Sequence, residues 1–310
     1  MTDIRITVFN TSEAGGTFLT PFWFGFHDGS FDVYDRGATA SEGLERVAED
    51  GTFDAIAAEL TDADADGQGG VVAGAAGPIA TGELAATVVD VDGESNGQLG
   101  LVAMILPSND AFVGTGQAIE IFDEDGTFLG PRRIDFSGED VLDAGTEVNT
   151  EMDAAFINQA EPDAGEEEGG VVESHPGFIG SEGNPDGDPI ILGGTNAFGV
   201  PIDPVAADFT REGAEIASIR VNIAVETEGE DGDDRLVGNG ADDLVTAGDG
   251  DDFVLGRRGY DDIAGEGGND KLFGNNGRDI VSGGDGDDFI GGGRGADVLS
   301  GDEGADSLRG

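Results

Sequence analysis

The stretch GGDGDDFIGGGRGADVLSGDEGADSLRG, residues 283–310, brings glycine and aspartate back on a beat of nine. Carried back to Gly229, the same frame, G-x-x-G-x-D-x-U-x with U aliphatic, fits nine consecutive blocks without an insertion. Its sixth position is aspartate throughout: Asp234, Asp243, Asp252, Asp261, Asp270, Asp279, Asp288, Asp297 and Asp306. Its eighth is aliphatic throughout, from Leu236 and Val245 to Leu299 and Leu308. Glycine holds the first position except at Ala247, and the fourth except at Ala241. A disordered acidic tail would keep no such phase.

Each column has a physical task. Glycine admits positive φ, so the chain can turn tightly and aim its carbonyls inward. One aliphatic residue per short strand makes no core alone, so it is buried only when another turn stacks on it, and residues 227–310 are expected to form a solenoid. Carboxylates and carbonyls from stacked loops supply the six to eight hard oxygen donors that calcium takes. The seventh position should point outward. It holds Leu244, Phe253, Ile280, Phe289 and Val298.

The frame resembles the RTX nonapeptide repeat, a calcium-binding parallel β-roll. That resemblance implies two blocks per turn and calcium held between block n and block n+2, up to about seven ions in all, with the nine sixth-position aspartates as ligands. It also implies type I secretion, in which the unfolded chain leaves a calcium-poor cytoplasm and folds outside.

The net charge is −52, with 66 acids against 14 bases. Residues 229–310 hold 21 of the acids and seven of the bases, so they account for −14 and the first 228 residues for −38. Such a surface repels nucleic acid and anionic membranes, and its excess acidity suits a saline habitat. There is no cysteine, hence no disulfide. The longest apolar run, near Leu101–Leu106, is far shorter than the ~20 residues of a membrane span. The opening MTDIRITVFN lacks the basic and apolar regions of a cleavable signal. Either an export signal lies at the other end, as the RTX resemblance implies, or the sequence has been trimmed, and because the frame stops on the first residue of a tenth block, the natural chain is expected to continue past Gly310.

Residues 1–226 are long enough for a core of their own. Ile4, Ile6 and Val8 alternate with Arg5 and Thr7 as in a half-buried strand. Further strands are expected at 31–34, 85–91, 99–106, 118–122 and 216–225. Between the first of them a helix should start at Thr39 or Ser41, bury Leu44, Val47 and Ala48, and stop at Gly51. A second should carry Phe53, Ile56, Ala57 and Leu60, and acidic glycine-rich loops should follow at 61–70 and 161–170. The expected class is all-β dominated: a β-sandwich with a small helical insertion, then the roll.

Five phrases carry a second resemblance: HDGSFDVYDRGATASEGLERVAEDG (27–51), GPIATGE (77–83), MILPSNDAFVG (104–114), LDAGTEVN (142–149) and VVESHPGF (171–178). Together, over residues 3–225, they resemble the spondin N-terminal domain. The resemblance implies a C2-like antiparallel β-sandwich in a matrix or adhesion setting, and one calcium ion in its loops. Carried over singly, the ligands are Asp110, Asp143 and Glu147, the last an aspartate in animal relatives.

His27 and His175 stand beside Asp-Gly and Pro-Gly, where histidine commonly holds a turn. No H-E-x-x-H or G-x-S-x-G occurs, and no carboxylate pair is singled out for glycoside hydrolysis. The expectation is a secreted or cell-surface calcium-binding adhesion or matrix protein, with surface polysaccharide or matrix components as partners. The alternatives are a carbohydrate-binding or carbohydrate-active N-terminal domain, and a structural subunit that self-assembles through the solenoid.

Overall fold

The computed structural model describes residues 1–149, 151, 154, 166–178, 191–196 and 198–310. The chain divides into two compact units, Met1–Val221 and Asn222–Gly310, where sequence reading places the boundary at 226/227.

Among the described residues, twelve strands build the first unit, numbered here along the chain. They are β1 (Thr2–Asn10), β2 (Phe18–Leu19), β3 (Phe22–His27), β4 (Gln68–Val72), β5 (Leu84–Val91), β6 (Gln98–Leu106), β7 (Ala111–Gly114), β8 (Ile119–Glu120), β9 (Arg132–Ser137), β10 (Leu142–Asp143), β11 (Glu173–Ser174) and β12 (Glu215–Ile223). One sheet has the order β5-β1-β12-β9 and the other β11-β10-β7-β6-β3-β4, with β2 and β8 also pairing with β6. The pairings β1–β5 and β9–β12 and those of the larger sheet are antiparallel. Ile4, Ile6 and Val8 face Phe22, Phe24, Phe26, Leu101 and Ala103 across a single apolar core, which makes the unit a β-sandwich.

A second apolar layer lies on the other face of the larger sheet. Helix α1 (Glu42–Asp50) starts where Ser41 Oγ accepts the Leu44 N–H, and ends at Gly51 with φ +64°. Helix α2 (Asp54–Ala63) follows at once. Leu44, Val47, Ile56 and Leu60 pack there on Trp23, Val102 and Phe112.

Four expectations change. Residues 31–34 form no strand; Phe31 and Val33 are drawn instead into the helix-covered layer. The strand expected at 118–122 shortens to Ile119–Glu120, and part of the loop expected at 61–70 is the end of α2 and the start of β4. Arg5 and Thr7, expected on an exposed face, are buried. Of the loop expected at 161–170, residues 161–165 lie outside the described residues.

The second unit is a parallel roll of two five-stranded sheets. One sheet runs Val225–Glu228, Asp243–Asp249, Asp262–Gly267, Ile280–Asp285, Val298–Glu303, and the other Arg235–Val237, Phe253–Arg258, Lys271–Asn276, Phe289–Arg294, Ser307–Arg309. Partners are 18 residues apart, as in Val254↔Leu272↔Ile290, so two blocks make one turn. The eighth-position residues from Val245 to Ile290 are completely buried between the sheets, whereas Leu308 on the last turn is 46% exposed. The first rung, Val225–Glu228, lies upstream of the nine-residue frame.

Candidate calcium centres

In the roll, the glycine columns exist to make room. A Cβ at Gly256, Gly265 or Gly283 would run into Oδ2 of the aspartate five residues on, and one at Gly268 or Gly286 into the carbonyl of the glycine one turn earlier. The second position also takes positive φ, at Arg257, Glu266, Asn275 and Asp302, which the frame did not reveal.

The sixth-position aspartates form two ladders, one through Asp234, Asp252, Asp270, Asp288 and Asp306 and the other through Asp243, Asp261, Asp279 and Asp297. Oδ1 of Asp270 accepts the N–H of Asp252 at 2.8 Å, and Oδ1 of Asp288 accepts the N–H of Asp270 at 2.8 Å. The same bond links Asp234 to Asp252, Asp243 to Asp261, Asp261 to Asp279, Asp279 to Asp297 and Asp288 to Asp306. From Asp243 to Asp288 these side chains are almost wholly buried. The other oxygen, Oδ2, of Asp252, Asp261, Asp270 and Asp288 is buried and accepts no hydrogen bond. Burial and the neighbouring carboxylates push Asp261 up to about 7 and Asp270 up to about 6, and raise Asp252 and Asp288. Buried anionic oxygens without donors are costly unless a cation meets them, so the ladders suit a hard divalent ion such as calcium.

A further ladder escaped the nine-residue reading. Side chains at the fifth position of alternate blocks accept N–H groups one turn later: Asp233 from Asp251, Asp251 from Asn269, Asn269 from Asp287, and Asp287 from Ala305. A period of 18 exposes it, since of these positions only Ala305 lacks an acceptor side chain.

In the sandwich, three adjacent strand ends converge. Ser108 donates to the Ile105 carbonyl at 2.7 Å and accepts the Ala111 N–H at 3.1 Å, which tightens the turn carrying Asp110 into β7. Asp143 lies opposite Ala111 across the β7–β10 pair and opposite Glu173 across β10–β11, one residue short of Ser174–His175. Asp110, Asp143 and His175 thereby bring potential ligand atoms within 4.8 Å of one another, all three buried. Asp110 Oδ2 accepts N–H groups of Thr146 and Glu147, while its buried Oδ1 has no partner. Burial, then the charge of Asp143, pushes Asp110 up to about 7.

His175 is occupied on both nitrogens. Nδ1 accepts the Gly177 N–H at 3.0 Å, so Nε2 carries the proton and donates it to Asn149 Oδ1 at 3.0 Å. Asn149 in turn donates to Asp143 Oδ2. Burial lowers His175 to about 4, so the ring is neutral. The oxygen donors of Asp110 and Asp143 therefore suit calcium, with His175 orienting Asp143 through Asn149. Glu147 offers its N–H to Asp110 while its carboxylate accepts from Asn109 Nδ2 at 3.4 Å. His27, like His175, holds its turn: its Nδ1 accepts the Gly29 N–H at 3.0 Å.

Residues 19–163 match the Spondin_N family, and residues 228–263, 261–290 and 283–310 match the RTX calcium-binding nonapeptide repeat. The chain carries a Spondin_N region followed by RTX calcium-binding repeats. The Spondin_N match takes in Asp110, Asp143 and Glu147 and stops short of His175. The RTX matches cover every aspartate of the two sixth-position ladders. No curated protein matches the chain. No described helix is long and apolar enough to cross a membrane.

Proposed function

We propose that this chain is a secreted adhesion or matrix protein: its Spondin_N sandwich presents the recognition surface, and its RTX roll is folded by calcium after export by a type I route. The observation that carries this reading is the row of buried, donor-less Oδ2 atoms on Asp252, Asp261, Asp270 and Asp288. In a calcium-poor compartment these charges oppose folding, which keeps the roll open for passage. Calcium outside supplies the missing positive charge, up to about seven ions in the roll.

A further ion is assigned to the sandwich at Asp110 and Asp143, with Glu147 fixing the loop by its N–H. The strongly acidic surface favours neutral surface polysaccharide or matrix components as partners over nucleic acid. Retention of the full chain on such a polysaccharide, measured in calcium and in chelator, tests the adhesive role. Calcium-dependent retention with the glycan left intact supports it. Release of new reducing ends would replace it with a carbohydrate-active enzyme.

A further inference from the structure

The two faces of the roll carry opposite charge. Of the seven Lys and Arg residues in 229–310, six lie on the strands from Arg235–Val237 to Ser307–Arg309, and those strands hold no acid. All six are exposed, and among the described residues none makes an ion pair. In a chain of net charge −52 this is a cationic face, although Lys271 also attracts Asp251 at its edge.

It is also aromatic. Arg235 sits 4.6 Å over the ring of Phe253, and Phe253, Phe273 and Phe289 follow at centroid spacings of 5.7 and 5.8 Å. Gly291 leaves the space that the Phe273 ring fills, and beside it lies a groove of about 510 Å³ that reaches Arg294 and Arg309.

The strands of the opposite sheet hold no Lys or Arg, and expose Asp249, Glu266, Asp285 and Glu303 together with Val298. Both sheets repeat at the same inter-strand spacing of about 4.8 Å. Rows of base and aromatic on one face thus match rows of acid and aliphatic on the other, level for level.

We infer that calcium-loaded rolls pair face to face, the cationic-aromatic sheet of one chain on the acidic sheet of a second copy. The contact is heterologous, so a pair keeps one face of each kind unused and assembly is open-ended. A face of five short strands measures about 24 by 20 Å, which buries roughly 900 Å² in total and places the contact among weak ones. Calcium is required, because it builds the sheets and cancels the interior aspartates that would otherwise add to repulsion between copies. This inference rests on the calcium-folded roll proposed above.

Sedimentation velocity of the full chain in calcium tests it, with circular dichroism on the same samples reporting whether the roll is folded. Average mass should climb with concentration without a plateau, toward ~1 mM, and fall back to monomer in chelator. Arg258→Glu with Arg294→Glu should be monomeric, and so should Asp285→Lys with Glu303→Lys. Mixed, the two variants should associate again, because each still offers one intact face that matches the other's. If a charge-reversed variant loses its strand signal in calcium, Arg258→Gln with Arg294→Gln replaces it and should lower the average mass at equal concentration. A folded wild-type chain that stays monomeric overturns the inference and leaves calcium folding intact, as does a variant that assembles like wild type. Binding of polygalacturonate by a monomeric wild-type chain, lost in the arginine variant, would give the face to a polyanion instead.

Discussion

At Gly268, φ is +128° and an added Cβ would meet the carbonyl of Gly250 in the turn before. Gly240, also in a loop of the roll, has open space where its Cβ would be and no unusual φ. Gly268→Ala should therefore cost about 1–3 kcal/mol of roll stability and Gly240→Ala almost nothing. The calcium midpoint of the strand signal, followed by circular dichroism, checks the contrast. Asp143→Asn keeps an oxygen to accept the Gly145 N–H but removes one of the two charges facing each other in the sandwich. Its effect should be confined to the site: calorimetry on the full chain should show one ion weakened at least about tenfold, with the roll's calcium heat unchanged. Unaltered binding by Asp143→Asn would remove the sandwich site. Asp110, Asp143 and Glu147 were expected as ligands from short phrases, and the structure brings the first two together with His175 instead of Glu147. His175 was read only as a turn residue, because what brings it to Asp143 is the β10–β11 pairing, which sequence spacing does not encode.

Among the elements, the roll was the more legible because its period is written in identical residues. The nine-residue frame still concealed the fifth-position ladder, whose period is 18, and the first rung at Val225–Glu228, which precedes the frame. In the sandwich, β3 escaped notice for a physical reason: FWFGFH is buried on both faces, Phe22, Phe24 and Phe26 toward one apolar layer and Trp23 toward the other, so no alternation marks it. Central and terminal rungs should differ. Ile263→Ala leaves a cavity among completely buried neighbours and should cost about 2–5 kcal/mol, whereas Leu308→Ala, at an exposed end, should be close to neutral. Titration gives a second test of the rungs. With Asp261 and Asp270 raised to about 7 and about 6 from 3.8, the folded calcium-free roll binds more protons than the unfolded chain between about pH 4 and pH 7. Its stability is thus fully present below about pH 4 and lost as pH rises through the folded values. In chelator, acidification from pH 7.5 toward pH 4.5 should increase strand signal, and in calcium the same change should weaken calcium binding, since protons compete for the same oxygens. A chelated roll that loses structure on acidification would contradict the raised values.

For the whole molecule, the decisive contrast is between a sandwich with two apolar layers and a roll with one aliphatic residue per block at its centre. Ordering each residue costs about 1–2 kcal/mol, and the sandwich offsets this with burial alone. The roll must in addition hold like charges in line, and calcium, binding only its folded form, supplies the difference in proportion to the logarithm of its concentration. Hydrogen exchange on the full chain, read by mass spectrometry in millimolar calcium and in chelator, follows the two units separately within one molecule. Amides of residues 243–294 should be protected in calcium and exchange rapidly in chelator, while those of β1, β6 and β12 stay protected in both. Equal protection of residues 243–294 in chelator would contradict the calcium-folded roll and the export route that depends on it.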